Sequence, residues 1–245
     1  MSRTNAWIRS RSRWALAAGA AGSAALALST TAVLGGFTAS ITNSGDAAST
    51  GSLVMQEAVG SPATTCLSTG TGTTGSTTVN TLNANASCPA NKFGALTNAK
   101  PGDSNSTNVV ISNVGSITAS TLTMTNGACT QANNTGTTAY NGSDASFCNK
   151  VDATIEDDTL GTTNALARCV YPAGAGNCPA LANTSNLSTL ATAYASAGSI
   201  LPAATTVAAG ASRTYKVAVG IDAVAATNAD QGLTATEPIT FTFAQ

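Results

Sequence analysis

Tyr215-Lys-Val-Ala-Val-Gly-Ile-Asp222 is the stretch whose reading decides the fold. Tyr215, Val217, Val219 and Ile221 point one way, and Lys216, Ala218, Gly220 and Asp222 point the other. Successive side chains of an extended chain alternate between faces, so this period of two reads as a half-buried strand. The same pattern recurs on both sides of it. Ile239, Phe241 and Phe243 alternate with Thr240 and Thr242, and Val151, Ala153 and Ile155 alternate with Asp152, Thr154 and Glu156, giving a strand with one wet face. Ser52–Val59 reads as the first strand and Leu166–Tyr171 as a further one. Ser106–Asn113 and Ile117–Thr125 are two β-rich runs joined by Asn113-Val-Gly-Ser116, a hairpin or a sheet-switching link. Lys100-Pro-Gly-Asp103 is a turn by its Pro-Gly pair.

Thr, Ser, Asn, Ala and Gly fill the remaining positions, and only 9% of residues are charged. Such text suits either a disordered stalk or a β protein whose solvent faces are Thr and Ser. The alternation with Val, Ile, Leu and Phe favours the β protein. Roughly seven or eight short strands with turn signals between them predict an all-β fold, a β-sandwich of jelly-roll or immunoglobulin-like type. One helix is expected over Thr184–Ala197, where Leu187, Leu190, Ala191 and Tyr194 form an apolar stripe. A second, shorter one is possible at Asp144–Lys150.

Two long loop regions interrupt the strands, at 61–91 and within 127–180. Loops of that length in a domain are usually functional or mobile. Cysteines bracket them: Cys66 and Cys88, Cys129 and Cys148, Cys169 and Cys178. Six cysteines permit fifteen pairings. Order along the chain favours neighbours, which close short Gly-, Asn-, Thr- or Pro-rich loops. A metal site would need close C-x-x-C spacing or histidine, and neither occurs.

Three disulfides presuppose export, and the first forty residues supply the means. Arg3, Arg9, Arg11 and Arg13 precede an Ala-rich apolar run that ends in Gly35-Gly-Phe-Thr-Ala-Ser40, and no charge follows until Asp46. This is the layout of a secretory signal peptide over residues 1–40, with cleavage expected between Ser40 and Ile41. An uncleaved anchor is the alternative, since about twenty apolar residues can span a bilayer. Alanine gives that alternative a weak apolar drive. Residues 41–245 then form a single secreted domain of six basic and eleven acidic residues, net charge −5. No basic stripe for nucleic acid or anionic lipid exists. Membrane contact is expected only through the signal.

The chain contains no histidine. That excludes Ser-His-Asp and Cys-His nucleophile systems, and any HExxH zinc site. Glu156-Asp157-Asp158, with Asp152, is the one acidic cluster that could hold a hard cation. It lacks the alternating oxygen ligands and glycine turn of a calcium loop and reads as a solvated strand end. No catalytic residue, cofactor or metal ligand is therefore expected. Paired carboxylates for glycoside cleavage do not stand out in an aromatic setting, and both tryptophans, Trp7 and Trp14, lie in the signal.

Several short motifs together resemble the TasA/camelysin family. They are the Gly35–Ser40 exit followed by Gly51-Ser-Leu-Val54, then Asn98-Ala-Lys-Pro-Gly-Asp103, Asn108–Ser116, and Gln231-Gly232 with the closing strand Glu237–Gln245. Ile41-Thr-Asn departs from the Phe-x-Asp often found after the cut, and the Cys-bracketed loops fall outside the pattern. The resemblance implies export through a SipW-type signal peptidase and a jelly-roll subunit of biofilm-matrix or surface fibres. It also implies self-association, with the mature N-terminal segment of one subunit, Ser52–Val59 or the residues before it, completing the sheet of the next. A monomeric surface adhesin is the alternative reading. A camelysin-like metallopeptidase is a third, which cleavage of casein sensitive to chelator would reveal.

Overall fold

The strand centred on Tyr215–Ile221 becomes the middle of a six-stranded antiparallel sheet. In the computed structural model the described residues are 49–75, 81–94, 96–133, 142–159, 169–174, 177–181, 185–193, 201 and 206–245. The expected signal segment 1–40 and the expected Ser40–Ile41 cleavage junction lie outside them. Thr50–Gln245 form one compact unit. Among the described residues the strands are β1 Met55–Val59, β2 Thr64–Leu67, β3 Ser104–Asn113, β4 Thr121–Asn126, β5 Thr130–Asn133, β6 Val151–Asp157, β7 Cys169–Tyr171, β8 Ser212–Ile221, β9 Leu233–Thr236 and β10 Ile239–Ala244. One α-helix, α1, spans Leu187–Ala193.

The larger sheet runs β2-β1-β3-β8-β6-β7. Its register places Val109 of β3 opposite Tyr215, and Ile155 of β6 opposite Val217. Inward-pointing side chains therefore line up in rows across the strands, which is what fixes the register. The second layer is a two-stranded ribbon. β4 pairs with β10 from Thr121↔Ala244 to Asn126↔Ile239, and β5 pairs with β9 from Thr130↔Thr236 to Asn133↔Leu233. Between the two ladders Gly127-Ala128-Cys129 faces Glu237-Pro238, so one strand carries an extra residue and the ribbon kinks there as at a β-bulge. Only glycine fits at 127, since a Cβ there would sit 2.5 Å from Cγ of Pro238.

The core lies between the layers. Val109, Ile111, Ile155 and Val217 from the sheet meet Leu122, Met124, Ile239 and Phe241 from the ribbon. Tyr215 stacks on Phe241 with ring centroids 5.4 Å apart. The chain is thus an all-β sandwich, as the alternation predicts, with two strands in its second layer among the described residues.

β6 departs from the expectation of one wet face. Asp152 and Thr154 are buried along with Val151, Ala153 and Ile155. Gly220, paired with Asp152, leaves room for Leu181 to lie over this face, its Cδ1 2.9 Å from where a Cβ of residue 220 would be. The edge is occupied by the entry to α1, where the Ala153 N–H donates to the Ser185 carbonyl at 2.6 Å. Asn186 caps α1 by accepting from the Thr189 N–H at 3.0 Å. Leu187 and Leu190 are buried as the apolar stripe requires, while Tyr194 and the rest of the expected helix lie outside the described residues. The expected short helix at Asp144–Lys150 is a 3-10 turn over Phe147–Lys150.

All three disulfides join sequence neighbours: Cys66–Cys88, Cys129–Cys148 and Cys169–Cys178. Three such bonds suit an extracellular or secreted setting. Among the described residues no helix is long and apolar enough to cross a membrane.

Candidate functional site

The Thr/Gly/Asn-rich loop between Cys66 and Cys88, with the residues after it, builds one wall of a groove. Asparagine side chains fasten it. Asn83 accepts from the Ser68 hydroxyl at 2.6 Å and donates to the Leu53 carbonyl at 2.7 Å. Asn85 donates to the Leu67 and Gly72 carbonyls at 3.0 and 2.7 Å. Asn83 sits at φ 53°, a left-handed conformation that asparagine tolerates better than most residues. Further on, the Lys92 ammonium reaches Glu57 of β1 at 2.9 Å, with both side chains largely buried. The Asn105 amide donates to the Phe93 carbonyl at 3.4 Å. A loop that composition presents as loose is held to β1, β2 and β3 by side chains.

The opposite wall is the outer edge of β9 and β10. Between the walls lies a groove of about 1230 Å³. Leu53, Met55, Phe93, Leu96, Leu233 and Phe243 line it, each packed on the core yet only partly buried. β10 pairs with β4 on one side, and among the described residues no strand pairs with its other side. The groove is therefore where a third strand of the smaller layer would lie, with apolar surface beside a strand edge that is unpaired among the described residues.

Two charged clusters flank this region. The Lys150 ammonium lies between Asp144 and Asp230, 3.0 Å from Asp230 Oδ2. Asp230 also accepts from the Thr227 N–H at 2.6 Å, so the cluster ties the 142–150 loop to the turn before β9. Lys150 and then Ser146 hold the Asp144 carboxyl well below the usual carboxylate range, and the two carboxylates raise Lys150. At the ribbon kink the Asn126 amide donates to Glu237 Oε1 at 2.8 Å, with both side chains buried. Burial pushes the Glu237 carboxyl up to about 7, against the opposing effect of the Asn126 hydrogen bond.

The acidic cluster named from the sequence is not gathered. Asp152 and Asp157 stand at opposite ends of β6, and Glu156 pairs across to Lys216 of β8. Asp152 is pushed up to about 6 by burial, with the charge of Asp222 adding to it. Among the described residues no group of three or more His, Cys, Asp or Glu side chains could hold a metal ion. The six cysteines are all consumed in disulfides.

Of the motif residues, Gly51–Val54 and Asn113–Ser116 are brought together, while Lys100–Asp103 lies at the other end of β3. Asn113, fully buried, donates to the Ile117 and Val207 carbonyls at 2.8 and 2.9 Å and accepts from the Gly115 N–H at 3.1 Å. Val114 and Ser116 donate to the Val54 and Ser52 carbonyls, so Gly51–Val54 lie along the 114–117 link. Within the expected strand Ser52–Val59, Met55–Val59 form β1, which is paired within its own chain to β2 and β3. The open β10 edge, the Lys92–Glu57 pair and the Asn126–Glu237 pair carry no sequence signal, since each joins residues far apart in the chain. No protein-family model and no curated protein matches the chain.

Proposed function

We propose that this chain is an exported structural protein of the cell surface or biofilm matrix, a fibre subunit that assembles by strand donation. Residues 41–50 of one copy, freed by cleavage after Ser40, would lie along β10 of the next. The observation that carries this reading is the edge of β10, unpaired among the described residues, facing a groove of half-buried apolar side chains. Strand addition to an exposed edge draws affinity from main-chain hydrogen bonds and specificity from pockets for alternate side chains.

Length permits it. Ten extended residues reach about 33 Å, against about 20 Å for the six residues of β10. No proline interrupts residues 41–50. The pairing of Met55–Val59 on both edges within its own sheet leaves the residues before it as the donor. The resemblance of the Gly35–Ser40, Lys100–Asp103 and Asn113–Ser116 motifs to the TasA/camelysin family supports the same reading and, with it, processing by a SipW-type peptidase.

Deleting 41–50 from the mature protein tests it. The expected result is loss of polymer on gel filtration and negative-stain images, with the monomer's circular dichroism and melting unchanged. Fibres that form normally without these residues would refute the proposal. The second reading, a monomeric surface binding module, is favoured by one observation: the 81–94 loop itself forms a wall of the groove. A mature protein that stays monomeric at all concentrations would select it.

A further inference from the structure

We infer that Glu237 and Asn126 form a neutral acid–amide pair, a proton-operated latch across the kink of the ribbon. The inference is independent of strand donation and concerns the stability of a single molecule.

The Asn126 Nδ2–H donates to Glu237 Oε1 at 2.8 Å. The two remaining atoms, Asn126 Oδ1 and Glu237 Oε2, are buried and have no hydrogen-bond partner among the described residues. With Glu237 ionised, both are acceptors side by side, and each bears the cost of a buried unsatisfied group. One proton on Oε2 removes both deficits: Oε2–H donates to Asn126 Oδ1, and the acid and amide close a ring of two hydrogen bonds. The pair spans the place where Gly127–Cys129 oppose Glu237-Pro238, and Glu237 also lines the groove. It joins the end of β4 to the start of β10 where the backbone ladder is interrupted.

The surroundings favour the neutral form. Burial raises Glu237 to about 7, and Asn126 is the group that opposes it. Tyr171 of β7 lies within electrostatic reach of Glu237, and its own titration is raised by burial, so it stays uncharged. The sign follows from linkage. A carboxyl raised in the folded state binds its proton more tightly there than in the unfolded chain. Its contribution is complete below the unfolded value of 4.5 and is lost as pH rises through about 7. The folding equilibrium constant should fall on the order of a hundredfold over that span.

The test is denaturant unfolding of the mature protein at pH 5, 6, 7 and 8, beside Glu237→Gln. Glutamine copies the neutral acid, since its Nε2–H can donate to Asn126 Oδ1 while its Oε1 accepts. The expected result is that wild type loses stability relative to the variant as pH rises, on the order of a hundredfold in the equilibrium constant. Equal slopes for the two proteins would overturn the inference. Should the variant fail to fold, carbon-13 NMR of the mature wild type, which has Glu57, Glu156 and Glu237, decides. One glutamate carboxyl titrating near 7 supports the latch, and three titrating in the ordinary carboxylate range overturn it.

Discussion

Gly115→Ala should detach the N-terminal arm from the sandwich while leaving the core in place. A Cβ at 115 would lie 2.2 Å from the Ser52 carbonyl oxygen and 2.6 Å from the Val54 nitrogen. Both are backbone atoms, so relief requires residues 52–54 to move away. That movement gives up the Val114–Val54, Ser116–Ser52 and Ile117–Ser52 backbone bonds at 2.9, 2.8 and 3.3 Å. It also gives up the bond from the Ser52 N–H to the Ser116 hydroxyl at 2.9 Å. At about 1 kcal/mol net per bond, reduced because water reaches the exposed Ser52, the cost is roughly 2–4 kcal/mol. For a domain of this size that lowers Tm by roughly 4–16 °C. Hydrogen exchange locates the effect. The amides of Val114, Ser116 and Ile117 should lose protection while those of Tyr215–Ile221 keep theirs. A loss of stability under about 1 kcal/mol with unchanged protection at 114–117 would show that the close approach does not hold the arm.

The disulfides and the core offer two further checks. Replacing Cys66 and Cys88 by alanine opens a loop of 22 residues, against 9 for Cys169 and Cys178. Loop-closure entropy assigns these about 3.4 and 2.6 kcal/mol, and each pair holds one buried cysteine, Cys66 and Cys169, so the loop lengths set the order. Denaturant midpoints should rank the first pair as the costlier loss, and the reverse order would refute the entropic ranking. Phe241→Ala removes a buried ring stacked on Tyr215 and should cost about 3–5 kcal/mol. A calorimetric Tm close to wild type would mean that the two layers are not joined there.

Much of the framework was legible because it rests on local chemistry. Lys100-Pro-Gly-Asp103 is a turn since Gly102 takes φ 91° and the Lys100 N–H reaches Asp103 Oδ2 at 3.0 Å. The neighbour pairing of cysteines needed only short loops that bring them together. What failed to show were features made by partners distant in the chain. Nothing local marks Asp152 and Thr154 as covered, because the cover comes from Leu181 and from the entry to α1. Nothing near Glu237 shows that Asn126, 111 residues earlier, will meet it in a buried place.

The alternating stretches by themselves determined that the chain is β, which face of β8 and β10 turns inward, and that the cysteines close local loops. Side-chain alternation and loop closure operate within a few residues, so sequence carries them. Only the tertiary structure decided that, among the described residues, the second layer has two strands with a groove beside it. The same holds for the burial that raises Glu237, because pairing and desolvation depend on which distant segments arrive and which leave an edge open.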